Sequence, residues 1–152
     1  MAKSNRKSKK VGGPYLAAAV FCESIMEGPD NILSAVRIVD GIKLLATAEA
    51  PAGFPSKEYP YLLHQNMLLI FRSGDSPGKH ELKLITTKPD GKKSKPHIQS
   101  IKLTPKPNGG TNLKSHLAVA VTAVGVYWID VFLDNKLMTR MPISVDIQRM
   151  KN

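Results

Sequence analysis

Cysteine is nearly absent from this sequence of 152 residues, in which Cys22 is the only one. A chain with a single cysteine cannot form an internal disulfide, which excludes the small secreted scaffolds that disulfides hold together. Aromatic residues are also scarce, at 6%. No apolar run reaches the roughly 18 residues of a membrane-spanning helix. At 42% hydrophobic residues, the chain is long enough and apolar enough to bury a core of its own as one soluble domain.

The beginning of the chain superficially resembles a secretion signal, because lysines precede an apolar segment that ends at Cys22. The residues Gly-Gly-Pro at 12–14 interrupt that segment, so only residues 15–21 remain as an apolar run. Phe21 also stands where cleavage of a lipoprotein signal requires a small residue. We therefore expect a cytoplasmic protein that makes no contact with a membrane.

Acidic residues are outnumbered, with 12 Asp and Glu against 22 Lys and Arg, which gives a formal net charge of +10. The excess lies in two places. Residues 1–11 carry five basic residues and no acidic one, and residues 79–106 carry eight lysines against two acidic residues. Because the first segment has almost no apolar side chain to bury, we expect a disordered basic tail over residues 1–12. A single folded domain is expected over residues 13–152.

Eleven glycines and eleven prolines divide the chain into short apolar and β-branched runs, and no long segment shows the helical period. This pattern predicts an all-β protein. Eight strands are predicted, at residues 15–24, 32–43, 62–72, 79–87, 95–103, 112–123, 125–133 and 137–147. They fit an antiparallel two-sheet β-sandwich, and the alternative is a small closed β-barrel of the oligonucleotide-binding type.

Three features of these strands can be checked against a structure. In the second strand, Ile32 and Ile38 fall on one face and Arg37 on the other. The apolar stretch 67–71 in the third strand predicts burial on both faces. In the last strand Pro142 predicts a position at a sheet edge, because proline cannot donate a ladder hydrogen bond.

Several segments carry a resemblance to known proteins. They are Asn-Ile-Leu-Ser-Ala-Val-Arg-Ile-Val-Asp-Gly-Ile at residues 31–42, the stretch 78–84 with Pro-Asp-Gly at 89–91, and the closing pair 125–134 and 141–145. Over about residues 15–147 the sequence resembles a family of small uncharacterised bacterial all-β proteins, a domain of unknown function. The resemblance implies a fold and supplies no catalytic residues.

Residues of the kinds that carry catalysis are present but do not form a catalytic or metal-binding pattern. Cys22 lies within an apolar strand, where a buried core thiol is expected. The four histidines, His64, His80, His97 and His116, show no short ligand spacing, so we expect them to be surface or hydrogen-bonded residues. We therefore predict no enzyme activity, no cofactor, no metal site and no small-molecule substrate.

Lysines cluster around the predicted hairpin between the fourth and fifth strands. Lys88, Lys92, Lys93 and Lys95 lie at or beside its Lys-Pro-Asp-Gly-Lys turn and are the candidates for phosphate contact. The segment contains no arginine and no aromatic residue, although base recognition usually uses both. Nucleic-acid association through this hairpin and the basic tail is therefore the alternative function.

The favoured functional prediction rests on two aromatic residues. If Tyr127 and Ile129 face the core, strand alternation turns Trp128 and Phe132 to the opposite face. Outward aromatic side chains on a strand are typical of a partner surface. We therefore expect a non-enzymatic binding or structural module that acts through contact with another protein or through self-association.

Overall fold

A computed structural model describes residues 10–106 and 108–151, which form nine strands in two sheets. The strands are β1 (Tyr15–Glu27), β2 (Leu33–Val39), β3 (Gly41–Ala46), β4 (Tyr61–Arg72), β5 (Gly78–Thr87), β6 (His97–Leu103), β7 (Gly110–Val121), β8 (Gly125–Leu133) and β9 (Lys136–Arg149). A four-stranded sheet has the order β2-β1-β4-β7, and a five-stranded sheet has the order β3-β9-β8-β5-β6. The prediction of an all-β, two-sheet protein is confirmed, and the closed-barrel alternative is wrong.

The core lies between the two sheets, because alternating residues of each strand point inward. Met67, Leu69 and Phe71 of β4 are fully buried against Tyr127 and Ile129 of β8. Leu68, on the other face of β4, is buried as well, so the predicted burial of this strand on both faces is confirmed. β4 and β8 are therefore internal strands of their sheets, each flanked by a strand on both sides.

The predicted second strand is in fact two strands. The chain bends at Asp40, so that β2 pairs with β1 in one sheet and β3 pairs with β9 in the other. The β3–β9 pair is parallel, and the prediction of a fully antiparallel sandwich is therefore wrong. Gly41 permits this pairing, because a side chain there would overlap the hydroxyl of Ser144.

The face of β2 that packs against the core is not the face that the sequence pattern predicts. Ile32 and Ile38 are exposed, the latter by 67%, whereas Val39 packs against the core. Each alternating set of this strand is mostly apolar but contains one polar residue, Ser34 in one set and Arg37 in the other, so alternation alone does not distinguish the buried face from the exposed one on an edge strand.

Pro142 does not place β9 at a sheet edge, because β9 lies between β3 and β8. The N–H of Ser144 donates to the carbonyl of Asp40 over 3.0 Å, and the nitrogen of Pro142, two residues earlier, points to the same side. Pairing with β3 begins only at Ser144. The proline therefore removes no ladder hydrogen bond, although the strand is internal to the sheet.

Most of the predicted basic tail, residues 1–9, lies outside the described residues. Gly12, at the end of the predicted tail, donates to the carboxylate of Asp75 over 2.6 Å and accepts the backbone N–H of the same residue over 2.8 Å. In the described ranges there is no helix that could cross a membrane.

Candidate functional site

Strand β8 carries the two candidate aromatic residues in the middle of the five-stranded sheet. Tyr127 is fully buried on its inner side, where the hydroxyl donates to the carbonyl of Ala123 over 2.9 Å and accepts the N–H of Thr122 over 3.2 Å. The next residue, Trp128, points outward and is 40% exposed. The predicted division of this strand into a core face and an outer face is therefore confirmed.

Trp128 lies between strands on both sides. It pairs with Thr87 of β5 and with Pro142 of β9. Val126, two residues earlier on the same face, is also 40% exposed. The hydroxyl of Thr87 is buried and, among the described residues, has no hydrogen-bond partner. The exposed part of Trp128 presents an apolar surface to the outside of the sandwich.

Asp130 follows Trp128 on the outer face, and its side chain is only 6% exposed. Arg140 of β9 lies opposite and donates from Nε to Oδ1 over 2.7 Å and from Nη2 to Oδ2 over 3.2 Å. These hydrogen bonds, together with the negative charge of Asp130, raise the pKa of Arg140. The pair fixes a charged group between two aromatic side chains, at a position where a strand normally exposes its polar residues.

Phe132 is half-buried on the same face and lies directly opposite Lys83 of β5. The Nζ atom of Lys83 lies 4.9 Å from the centre of the phenyl ring and donates to the side-chain oxygen of Asn135 over 2.7 Å. This is a cation–π contact, so one lysine of the predicted basic cluster packs on an aromatic ring.

We call these outward residues the Trp128 surface; it consists of Val126, Trp128, Asp130, Phe132, Arg140 and Pro142. Sequence reasoning identified the two aromatic residues but missed the ion pair. The sequence does contain a signal for this ion pair. Asp130 stands between Trp128 and Phe132 on one strand face, and Arg140 follows ten residues later, across a tight turn.

The four hairpin lysines come together around the β5–β6 turn. Lys92, Lys93 and Lys95 are exposed, and Lys88 is half-buried. The Nζ atom of Lys92 lies 3.8 Å from the carboxylate of Asp90, and both groups are largely exposed to solvent. The antiparallel pairing of β5 with β6 confirms the predicted hairpin. This cluster is separate from Phe132, which contacts Lys83 instead.

His80 forms a buried polar site that was predicted only as a hydrogen-bonded histidine. Its Nδ1 lies 2.5 Å from Oδ2 of Asp134, and its Nε2 lies 2.8 Å from the carbonyl oxygen of Ser76. Both partners are acceptors, so the arrangement fits a ring that is protonated on both nitrogens. Burial disfavours the charged ring, but the two hydrogen bonds and the charge of Asp134 outweigh burial and raise the pKa of His80.

Two other histidines meet although they are 52 residues apart in sequence. Nδ1 of His64 lies 3.1 Å from Nε2 of His116, and the rings are stacked with their centres 5.2 Å apart. Spacing along the sequence gave no sign of this pair, because β4 and β7 bring the two residues together only through their register. The described residues contain no group of three or more potential metal ligands.

Cys22 is fully buried, as predicted, and burial raises the pKa of its thiol. A neutral, inaccessible thiol is a poor nucleophile at physiological pH. This residue therefore serves packing.

The architecture is that of an all-β sandwich domain with an exposed aromatic face. The chain belongs to the family of unknown function DUF6941, whose family model matches residues 18–146. This match confirms the resemblance to an uncharacterised family. A search of curated proteins finds no match.

The solved structures that are similar to the chain include two from Pseudomonas species. One is an immunoglobulin-like protein from Pseudomonas aeruginosa, with 14% sequence identity and a TM-score of 0.41, over 88% of this chain and 97% of that one. The other is an alkylpurine DNA glycosylase from Pseudomonas fluorescens, bound to DNA containing an abasic site analogue. Its identity is 11% and its TM-score 0.37, over 70% of this chain and 27% of that one.

Proposed function

We propose that this protein is a non-enzymatic binding module that contacts a protein partner through the Trp128 surface. The observation that carries the proposal is the exposure of Trp128 on β8, a strand that is flanked on both sides within its sheet. A tryptophan at such a position contributes little to the core and offers a large rigid apolar area to a partner.

The surroundings of Trp128 support a protein partner. Val126 extends the apolar area, and Phe132 supplies a second ring with Lys83 stacked on it. Arg140 is half exposed while it holds Asp130, so its remaining N–H groups can donate to a partner. Aromatic residues and arginine are enriched at the centres of protein interfaces.

The test is affinity capture from native lysate with wild-type protein and with Trp128→Ser. A second copy of this chain is one candidate partner, so the same proteins are examined by analytical ultracentrifugation. We expect the substitution to lower capture or self-association by about tenfold or more, because central aromatic residues dominate binding energy. Tyr59→Ser is the matched control, since Tyr59 is an exposed aromatic residue in the loop before β4.

The result that overturns the proposal is equal capture by the wild type, Trp128→Ser and Tyr59→Ser. Capture that disappears after nuclease treatment would instead favour the nucleic-acid alternative. Urea unfolding of each variant establishes that a loss of binding does not come from a loss of folding.

A further inference from the structure

Strand β7 ends the four-stranded sheet, so among the described residues no strand is hydrogen-bonded to the side of its backbone that faces away from β4. At its beginning, the N–H of Gly110 donates to Oγ1 of Thr104 over 3.0 Å, and its carbonyl accepts the N–H of Thr104 over 3.2 Å. Both bonds point away from β4. Backbone groups of alternate strand residues point to the same side. The following residues therefore present their N–H and C=O groups at the free edge: Asn112, Lys114, His116, Ala118 and Ala120.

A groove of about 420 Å³ runs along this edge, between β7 and the β5–β6 hairpin. We call it the edge groove. Its apolar floor comes from the core side of three strands and consists of Met67, Leu84, Leu117 and Val119. The groove thus combines unpaired backbone groups with an opening to buried apolar side chains, the two features that an added strand needs.

The hairpin wall of the edge groove is positively charged. Lys88 and Lys95 line it, and no aspartate or glutamate of the described residues does. Lys93, which pairs with Thr87 in the same turn, does not itself line the groove. In the part of the chain that the structure describes, no phenylalanine, tyrosine or tryptophan lines the groove, so this part offers none of the aromatic rings on which single-stranded nucleic acids usually stack.

We propose that the edge groove binds an extended acidic peptide segment of a partner protein, which adds to β7 as an antiparallel strand. The backbone of the peptide pairs with the outward N–H and C=O groups of β7. Its inward side chains bury apolar atoms on Leu117 and Val119, and its carboxylates reach Lys88 and Lys95. This site is separate from the Trp128 surface, and the two proposals stand or fall independently.

The position of the hairpin tip sets the order of the peptide side chains. Pro89 lies against Gly125, where an added Cβ would be 2.9 Å from the proline ring. The charged tip therefore lies at the end of the sandwich where β7 finishes and β8 begins. An antiparallel peptide begins at that end, so acidic residues belong near its N-terminus and apolar residues further along.

The probe is a fluorescein-labelled peptide Glu-Thr-Glu-Thr-Val-Thr-Val-Thr, titrated with the full chain and followed by fluorescence anisotropy. A matched peptide is N-methylated at the alternate backbone nitrogens that would face β7, which removes its N–H donors for the pairing but keeps the charge. We expect the affinity of the methylated peptide to be lower by about tenfold or by a larger factor. Equal binding of the two peptides, or no saturable binding of the first, overturns the proposal.

Charge is tested by the double variant Lys88→Glu/Lys95→Glu against Lys43→Glu/Lys102→Glu, which changes the net charge equally at exposed sites outside the groove. We expect only the first to weaken binding, by about tenfold. Equal weakening by both double variants would mean that binding depends only on the net charge of the protein, and it would overturn the proposed site.

The free edge is tested by Ala118→Pro, which removes an outward N–H that β4 does not use. We expect this variant to lose peptide binding. The methylated peptide tests the other half of the pairing, the hydrogen bonds from peptide N–H groups to the carbonyls of β7, without altering the protein, so the proposal remains falsifiable if Ala118→Pro fails to fold. Displacement of the peptide by a single-stranded oligonucleotide of higher affinity would assign the hairpin wall to nucleic acid and overturn the proposal.

Discussion

Arg140 holds the carboxylate of Asp130 through two hydrogen bonds, 2.7 Å from Nε and 3.2 Å from Nη2, on the outside of the five-stranded sheet. The carboxylate is buried there, and Trp128 and Phe132 lie before and after it on the same strand face. An ion pair shielded by exposed aromatic residues makes the stability of this face depend on the charge balance of two residues.

Replacing Arg140 with an uncharged residue should show how far the stability depends on this ion pair. In Arg140→Met the buried carboxylate keeps its desolvation cost but loses its partner, so we expect the free energy of unfolding to fall by about 1–3 kcal/mol. The double variant Asp130→Val/Arg140→Met should recover most of the loss, because neither charge remains to be compensated. Urea unfolding measures both. Lys102→Met, which removes an exposed charge from β6, should change stability by less than about 0.5 kcal/mol. Equal losses in the single and double variants would show that the pair is not coupled.

The contact between His80 and Asp134 predicts a pH window of stability. The pKa of His80 is raised from its ordinary value of 6.5, so its contribution is complete below pH 6.5 and is lost as the pH rises through the folded-state value. The backbone N–H of Glu81 is the main cause that lowers the pKa of Asp134 from 3.8, and His80 adds to it against the effect of burial. The contribution of Asp134 is therefore complete above pH 3.8 and is lost as the pH falls through its lowered value.

We therefore expect the free energy of unfolding to be greatest between those limits and to decline on either side. Urea unfolding across pH 3–9 measures this curve, and NMR titration of the His80 ring gives its folded-state pKa directly. Asp134→Asn should lower that pKa and remove part of the decline above pH 6.5. His97→Gln is the control, since His97 is exposed and should leave the curve unchanged. A His80 pKa below 6.5 in the wild type would contradict the assignment.

The strand pattern of this sequence predicts which residues of β8 and β9 are buried, because each strand has one apolar and one mixed face. It does not predict where the chain changes sheets. The bend at Asp40 depends on Gly41 fitting against Ser144, more than 100 residues away in sequence, and no local pattern records that contact. The antiparallel prediction was wrong for the same reason, since β3 pairs with a strand formed by the end of the chain.

The candidate site residues also divide into those that the sequence predicts and those that it does not. Trp128 and Phe132 could be placed on the outer face by alternation alone. The pairing of His64 with His116 and of His80 with Asp134 depends on strand register between distant segments, so both contacts were missed. Local periodicity fixes the direction of a side chain, but only the register of paired strands determines which side chain it meets.

The hairpin lysines give the nucleic-acid alternative a quantitative test. If Lys88, Lys92, Lys93 and Lys95 all contact phosphates, replacing them with glutamine should reduce the slope of log affinity against log salt by about 3. Filter binding of single-stranded and double-stranded oligonucleotides at several salt concentrations measures the slope. A variant lacking residues 1–11 separates the contribution of the basic N-terminal segment. No retention of either oligonucleotide at low salt would remove this alternative.

Tyr127 and Trp128 are neighbours with opposite roles, and their substitutions should separate stability from binding. Tyr127→Phe removes a hydroxyl that donates to Ala123 and accepts from Thr122 inside the fold, so we expect a loss of about 1–2 kcal/mol in the free energy of unfolding. Trp128→Thr keeps a residue that favours strands and should cost less than about 1 kcal/mol. Partner capture should respond in the opposite order, with Tyr127→Phe retaining it and Trp128→Thr losing it. If Trp128→Thr unfolds the protein as readily as Tyr127→Phe does, the indole belongs to the stabilising core and its exposed area has no role in recognition.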